Sequence, residues 1–131
     1  MGRRLISLCL RATSGGVLTE LLLDTDVFID HLRGAVPIKA GEEQISYSVI
    51  TRCELFAGTK GDEEAITQLL GAFRELTVDR RIAETAGRLR REHGVAMADA
   101  VIAATALTHG LTLHSRNRKH FEPIPKLDLV S

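Results

Sequence analysis

The stretch "LLLDTDVFID" (residues 21–30) constrains this chain more than any other. Three consecutive leucines leave no alternation of inside and outside. A strand there must be covered on both faces, as strands of parallel sheets are. Parallel strands need long crossover connections, usually helices, so the run predicts an α/β fold. It also ends in carboxylates: Asp24, Asp26 and Asp30 follow directly. In open α/β sheets, sites form beyond the carboxyl ends of strands, and Asp24 stands at such an end.

The rest of the chain repeats the alternation. "VFIDHLRG" reads as a short helix ending at Gly34, and residues 35–44 as a polar loop. "ISYSV" opens a strand, and "SVITRCELFAG" continues as a helix stopped by Gly58. "DEEAITQLLGAF" has an acidic first turn and helical apolar spacing, and "RELTV" is a short strand. "DRRIAETAGRLRREHG" is an amphipathic helix with Asp79 as N-cap, Ile82, Ala86 and Leu89 on one stripe, and Gly94 at its end. "MADAVIAATALTHG" is small and apolar almost all round, hence a buried helix capped by Gly110. "LTLHS" and "LDLV" complete a mostly parallel sheet flanked by helices.

At 131 residues one domain suffices. Seventeen basic and seventeen acidic side chains cancel, so a polyanion must be met by local patches or by a bound cation. With no Trp, one Tyr and four Phe, a base-stacking platform is excluded. Two cysteines, Cys9 and Cys53, form no CxxC pair and no secreted-type framework, which predicts a reduced, cytoplasmic protein. No apolar stretch approaches the roughly 20 residues that cross a membrane. Residues 1–20 carry two arginines and a short apolar run broken by Ser7, too short for a signal-peptide core. They are expected to be a flexible leader or to precede the native domain, which occupies residues 21–131.

Three carboxylates carry the chemistry. Asp24 sits at the strand tip, although it could serve only as a cap for a helix starting near Val27, a task Thr25 or Asp26 would also perform. Asp26 and Asp30 are weaker, one as a cap and the other on an exposed helical turn. Glu54 stands among Val49, Ile50, Leu55 and Phe56, with Thr51 three residues earlier on the same face and able to orient it. Asp99 is the one charged side chain in "VAMADAVIAATALT" and must be capping, paired or bound to a cation, since an isolated buried charge is costly. After the strand "LTLHS", the segment "RNRKHF" offers oxygen ligands or hydrogen-bond donors at Ser115 and Asn117. Carboxylates from different α/β units repel one another unless a cation lies between them, and Mg²⁺ prefers such hard oxygen ligands. The five histidines show no HExxH or Cys–His zinc spacing, and no GxSxG elbow is present.

Two resemblances follow. "LLLDTDVF" resembles the opening of haloacid-dehalogenase-type phosphatases, with Asp24 as nucleophile and Asp26 as acid/base, but the late acidic pair of that family is missing. The ordered set "LLLDTDVFIDHLRG", "ISYSVITRCELFAG" and "MADAVIAATALTHGLTLHSRNRKHFEPIPKLDL" resembles the PIN-domain ribonucleases, most closely the VapC-type toxins of toxin–antitoxin pairs. That resemblance implies a single PIN-like domain and three metal ligands, Asp24, Glu54 and Asp99. Ser115 matches the hydroxyl before a fourth site, which falls on Asn117 where many relatives have Asp; His120 occupies another position where relatives are often acidic. It further implies cleavage of RNA dependent on Mg²⁺ or Mn²⁺ by a metal-activated water, leaving a 5′-phosphate. A homodimer and a small cognate antitoxin that blocks the site are implied as well. Arg116, Arg118 and Lys119 are the basic residues nearest the site, suited to a phosphate backbone. Arg80, Arg81 and Arg91 read as the solvated face of their helix. A PIN nuclease of RNA processing that is no toxin, and a PIN binding module without catalysis, stand as alternatives.

Overall fold

The computed structural model describes residues 20–38, 44–58 and 62–131. Residues 1–19 of the leader and part of the 35–44 loop fall outside the described residues, while Glu20 opens the first strand. The elements are β1 (Glu20–Leu23), α1 (Thr25–Leu32), β2 (Gln44–Ser48), α2 (Val49–Ala57), α3 (Glu63–Leu70), β3 (Arg74–Leu76), α4 (Arg80–His93), α5 (Met97–His109), β4 (Thr112–His114), α6 (Arg118–Phe121) and β5 (Leu129–Val130). The five strands form one parallel sheet in the order β3-β2-β1-β4-β5.

The triple leucine explains itself in this order. β1 is central, and alternation sends Leu22 to one face while Leu21 and Leu23 go to the other. Leu22 joins a core with Leu113, Ile82, Ala86, Leu89 and the alanines of α5. Leu21 and Leu23 join Val27, Phe28, Ile45, Tyr47, Leu55, Ile66 and Leu70. Each leucine is fully buried, worth about 1.5–3 kcal/mol apiece. On the first face, Ala100, Ala103, Ala104 and Ala106 keep α5 slim, so it lies between the sheet and the Ile82–Ala86–Leu89 stripe of α4. On the second, the Phe28 ring meets Tyr47 and Phe73 edge-on, with centroids 5.5 Å and 5.9 Å apart.

The chain steps outward from β1 to β2 and β3, then crosses back through α4 and α5 to β4 on the other side. The switch in direction therefore lies between β1 and β4, where the register pairs Leu23 with His114. The residues just beyond both strand ends, Asp24 and Ser115, are thereby neighbours, at the place where such sheets carry their sites.

Local expectations were met at most caps. Asp79 accepts from the Ile82 amide at 2.9 Å, and Gly94 and Gly110 close α4 and α5 with φ of 70° and 66°. Three differences matter. α1 begins at Thr25 rather than near Val27, because Asp24 itself is the N-cap. Asp99 does not cap α5, whose N-cap position, Ala96, makes no side-chain bond. The one-turn helix α6 follows β4, in a segment to which the sequence assigned no element.

Candidate active site at the β1–β4 edge

Asp24 is the most constrained carboxylate. Only 4% of its surface is exposed. The Thr25 amide donates to its Oδ1 at 2.8 Å, the Ser115 hydroxyl to its Oδ2 at 2.7 Å, and its own amide donates to the His114 carbonyl at 2.9 Å. Burial, followed by the charge of Asp26, pushes its carboxyl up to about 7, against the downward pull of the Ser115 and Thr25 bonds. Capping and function are thus not alternatives here: one oxygen faces a helix amide and the other a hydroxyl from the neighbouring strand end.

The segment after β4 holds this corner. The Asn117 amide donates to Ser115 Oγ at 2.9 Å, so Ser115 relays between the backbone and Asp24. The Asn117 side-chain Nδ2 donates to Asp26 Oδ2 at 2.9 Å, and the Arg116 amide donates to the same oxygen at 3.2 Å. Asp26, a weaker candidate read as a cap or as the acid/base of the phosphatase resemblance, is therefore tied into this corner, and burial raises its pKa as well. Its signal in the sequence was the Asp-x-Asp spacing itself, which puts both side chains on the first turn of α1. His114 sits beneath, buried and neutral, its pKa lowered to about 4 by burial and then by Arg116.

Glu54 reaches the corner from α2 through two threonines. Thr25 Oγ1 donates to Glu54 Oε1 at 2.6 Å and lies 2.9 Å from Thr51 Oγ1. Since Thr25 spends its proton on the carboxylate, Thr51 donates to Thr25. Thr51, fully buried, thus orients Glu54 by way of Thr25 rather than directly. Two positions before Glu54, Arg52 ties α2 to the edge strand: its Nε lies 2.7 Å from Glu75 Oε1, which also accepts from the Tyr47 hydroxyl at 2.9 Å.

Asp99, on the first turn of α5, faces His120 of α6, with Nδ1 3.2 Å from its Oδ2. Burial raises the Asp99 pKa, His120 works against it, and the Asp99 charge adds to the rise at Asp24. Among the described residues, no three carboxylates or imidazoles stand close enough together to make a ready metal shell. Asp24, Glu54 and Asp99 border one corner, each held by its own donor: Ser115, Thr25 and His120. The donor set nonetheless suits a hard divalent cation: it is all oxygen, partly buried, and Asp26 Oδ1 is buried with no hydrogen-bond partner among the described residues.

Beside the corner lies an open groove of about 470 Å³ lined by Arg116, Asn117, Arg118, Lys119, His120 and Glu122. The basic residues differ in freedom. Arg116 Nε pairs with Asp30 at 2.9 Å, and Arg118 Nη1 donates to the Leu129 carbonyl at 3.3 Å. Lys119 is exposed and makes no ion pair among the described residues.

The PIN domain family matches residues 21–127. Ribonuclease VapC19 of Mycobacterium tuberculosis is 36% identical over 120 residues, spanning 81% of this chain and 95% of that protein. Ribonuclease VapC10 of the same organism is 33% identical over 119 residues, covering 82% of this chain and 90% of its relative. A solved toxin–antitoxin complex from Klebsiella pneumoniae contains a chain 33% identical, with a TM-score of 0.70, covering 85% of this chain and 96% of that one. VapBC2 from Rickettsia felis, bound to a DNA fragment from its promoter, shares the fold at a TM-score of 0.71 with 20% identity. The phosphatase likeness, confined to the first strand and its acidic tip, gives way to a match that runs nearly the length of the chain.

Proposed function

Because the chain belongs to the PIN-domain family, and within it to the VapC ribonucleases, we propose that it is a divalent-metal-dependent endoribonuclease acting as the toxin of a toxin–antitoxin pair. The observation that carries this reading is the buried Asp24 carboxyl at the β1–β4 switch, raised to about 7 and held between two donors. A carboxyl so placed gains most from a cation, since the cation relieves both its burial and its repulsion from Asp26.

Asp24, Glu54 and Asp99 would hold Mg²⁺ or Mn²⁺, with Asn117 as an auxiliary. When bound, such an ion supplies water activation and charge neutralisation at an RNA phosphodiester. The protein's own groups supply placement. Ser115 fixes Asp24, Thr51 and Thr25 fix Glu54, and His120 holds Asp99. Lys119 is the freest contact for a phosphate, while Arg116 and Arg118 would have to leave their present partners or act through their electrostatic field. The toxin–antitoxin complex among the structural relatives supports a cognate antitoxin; that it covers this corner, and that the chain forms a homodimer, are expected on the family pattern. The protein would work in the cytoplasm; among the described residues no helix is long and apolar enough to cross a membrane.

The test is cleavage of a mixed structured-RNA pool by purified, antitoxin-free protein with Mg²⁺ or Mn²⁺, beside EDTA and Asp99→Asn controls. Site-specific cuts that vanish with either control are expected. Folded protein that cuts nothing with either ion would leave a PIN binding module instead. Cutting without any antitoxin encoded nearby would favour an RNA-processing nuclease.

A further inference from the structure

We propose that Asp26 is a further acidic residue of the cation site, held in place there by Asn117; this rests on the site being a cation site at all. Three observations meet on it. The first is the local geometry of α1. Asp24 caps the helix and Asp26 follows two residues later on its first turn, so both carboxyls stand at one helix start. Two carboxylates so placed are held apart only at a cost, unless a proton or a cation is shared between them.

The second is the uneven treatment of the two Asp26 oxygens. Oδ2 accepts from the Arg116 amide and from Asn117 Nδ2, whereas Oδ1 is buried with no hydrogen-bond partner among the described residues. Buried polar atoms are rarely left unpaired, and an oxygen set beside the Asp24 carboxyl can take the proton held there or, once that proton is gone, a cation.

The third is the direction of the Asn117 amide. It presents its nitrogen to Asp26, so Asn117 acts on Asp26 as a hydrogen-bond donor. Its backbone amide meanwhile holds Ser115, which holds Asp24. One short segment after β4 thus positions both carboxyls of the pair. The negative charge lies on α1 at Asp26, and residue 117 clamps it.

A merely structural role for Asp26 would be to tether that segment to α1. Asp26→Asn separates the two: an amide oxygen still accepts from Arg116 and Asn117, but the charge is gone. The experiment is calorimetric titration of Mn²⁺ into metal-stripped protein at pH 8, for wild type, D26N, N117D, the exchanged pair D26N/N117D, and D99N. Thermal melts establish that each is folded. D26N should weaken Mn²⁺ binding by about tenfold or more while melting within a few degrees of wild type. The exchanged pair puts the carboxylate on the other side of the same hydrogen bond and should recover most of the lost affinity. Wild type that takes up no Mn²⁺, or loses nothing in D99N, would overturn the cation site and Asp26 with it. Binding weakened by D99N but untouched by D26N would overturn the role of Asp26 alone. An exchanged pair no better than D26N would count against the clamp at Asn117.

Discussion

Replacing Asp24 by Asn should make the metal-free protein more stable at pH 8 and inactive at once. The Asp24 carboxyl is raised from its ordinary 3.8 to about 7 in the folded chain. Between those two values the folded state holds a proton that the unfolded state has lost. Stability therefore falls as pH rises through this window, and the full cost stands above pH 7. At 1.36 kcal/mol per pH unit the cost is about 4 kcal/mol. Asn removes the charge but keeps an acceptor for the Thr25 amide. It loses the acceptor for the Ser115 hydroxyl, a penalty of about 1–2 kcal/mol. The balance at pH 8 is a gain of about 2 kcal/mol, several degrees in melting temperature for a domain of this size. At pH 4.5 the wild-type carboxyl is already neutral, so most of the gain disappears while the lost bond remains, and the variant should be equal or slightly weaker. The assay is urea unfolding with EDTA at both pH values, beside RNA cleavage with Mn²⁺, which should fall at least a hundredfold. A variant less stable than wild type at pH 8, or a difference that does not change with pH, would refute burial as the cause of the raised pKa.

Three further outcomes follow from the same geometry. Thr51→Val fills the same buried volume but breaks the relay to Glu54; it should cost about 1–2 kcal/mol by urea unfolding and weaken Mn²⁺ binding about tenfold by calorimetry. Lys119→Ala should leave stability unchanged, weaken RNA binding at all sequences alike, and reduce the slope of log affinity against log salt by about one, measured by filter binding. Apparent Mn²⁺ affinity should rise with pH up to about 7 and level off beyond it, because the cation must displace the proton on Asp24; titration calorimetry from pH 5.5 to 8.5 reads this directly, and a flat profile would remove Asp24 from the ligand set.

What the sequence made legible was whatever local pattern dictates. The unbroken leucines of β1 required cover on both faces and received it. The small residues of α5 read as a buried helix because no other environment tolerates a side free of charge. Asp79, Gly94 and Gly110 were readable caps because capping is settled within one turn. What stayed hidden was every decision made by residues far apart in the chain. Asp26 looked like a cap because its partners, the Arg116 amide and the Asn117 side chain, lie about ninety positions away. Ser115 was legible as a hydroxyl near the site, but the same distance hid that its partner is Asp24, which the parallel pairing of β1 with β4 brings to it. Thr25 was misread for the opposite reason. Its place on the first turn of α1 is local, but it is selected by Thr51 and Glu54 on another helix. Such a hydroxyl has no periodicity and no motif of its own, so only the tertiary arrangement distinguishes it from an ordinary cap. The corner is built the same way throughout: acids supplied by strand tips and helix starts, and their donors supplied by a neighbour across the sheet or on an adjacent helix. Reading the acids from the sequence therefore finds the charge but not its orientation, and it is orientation that decides which oxygen is left for a cation.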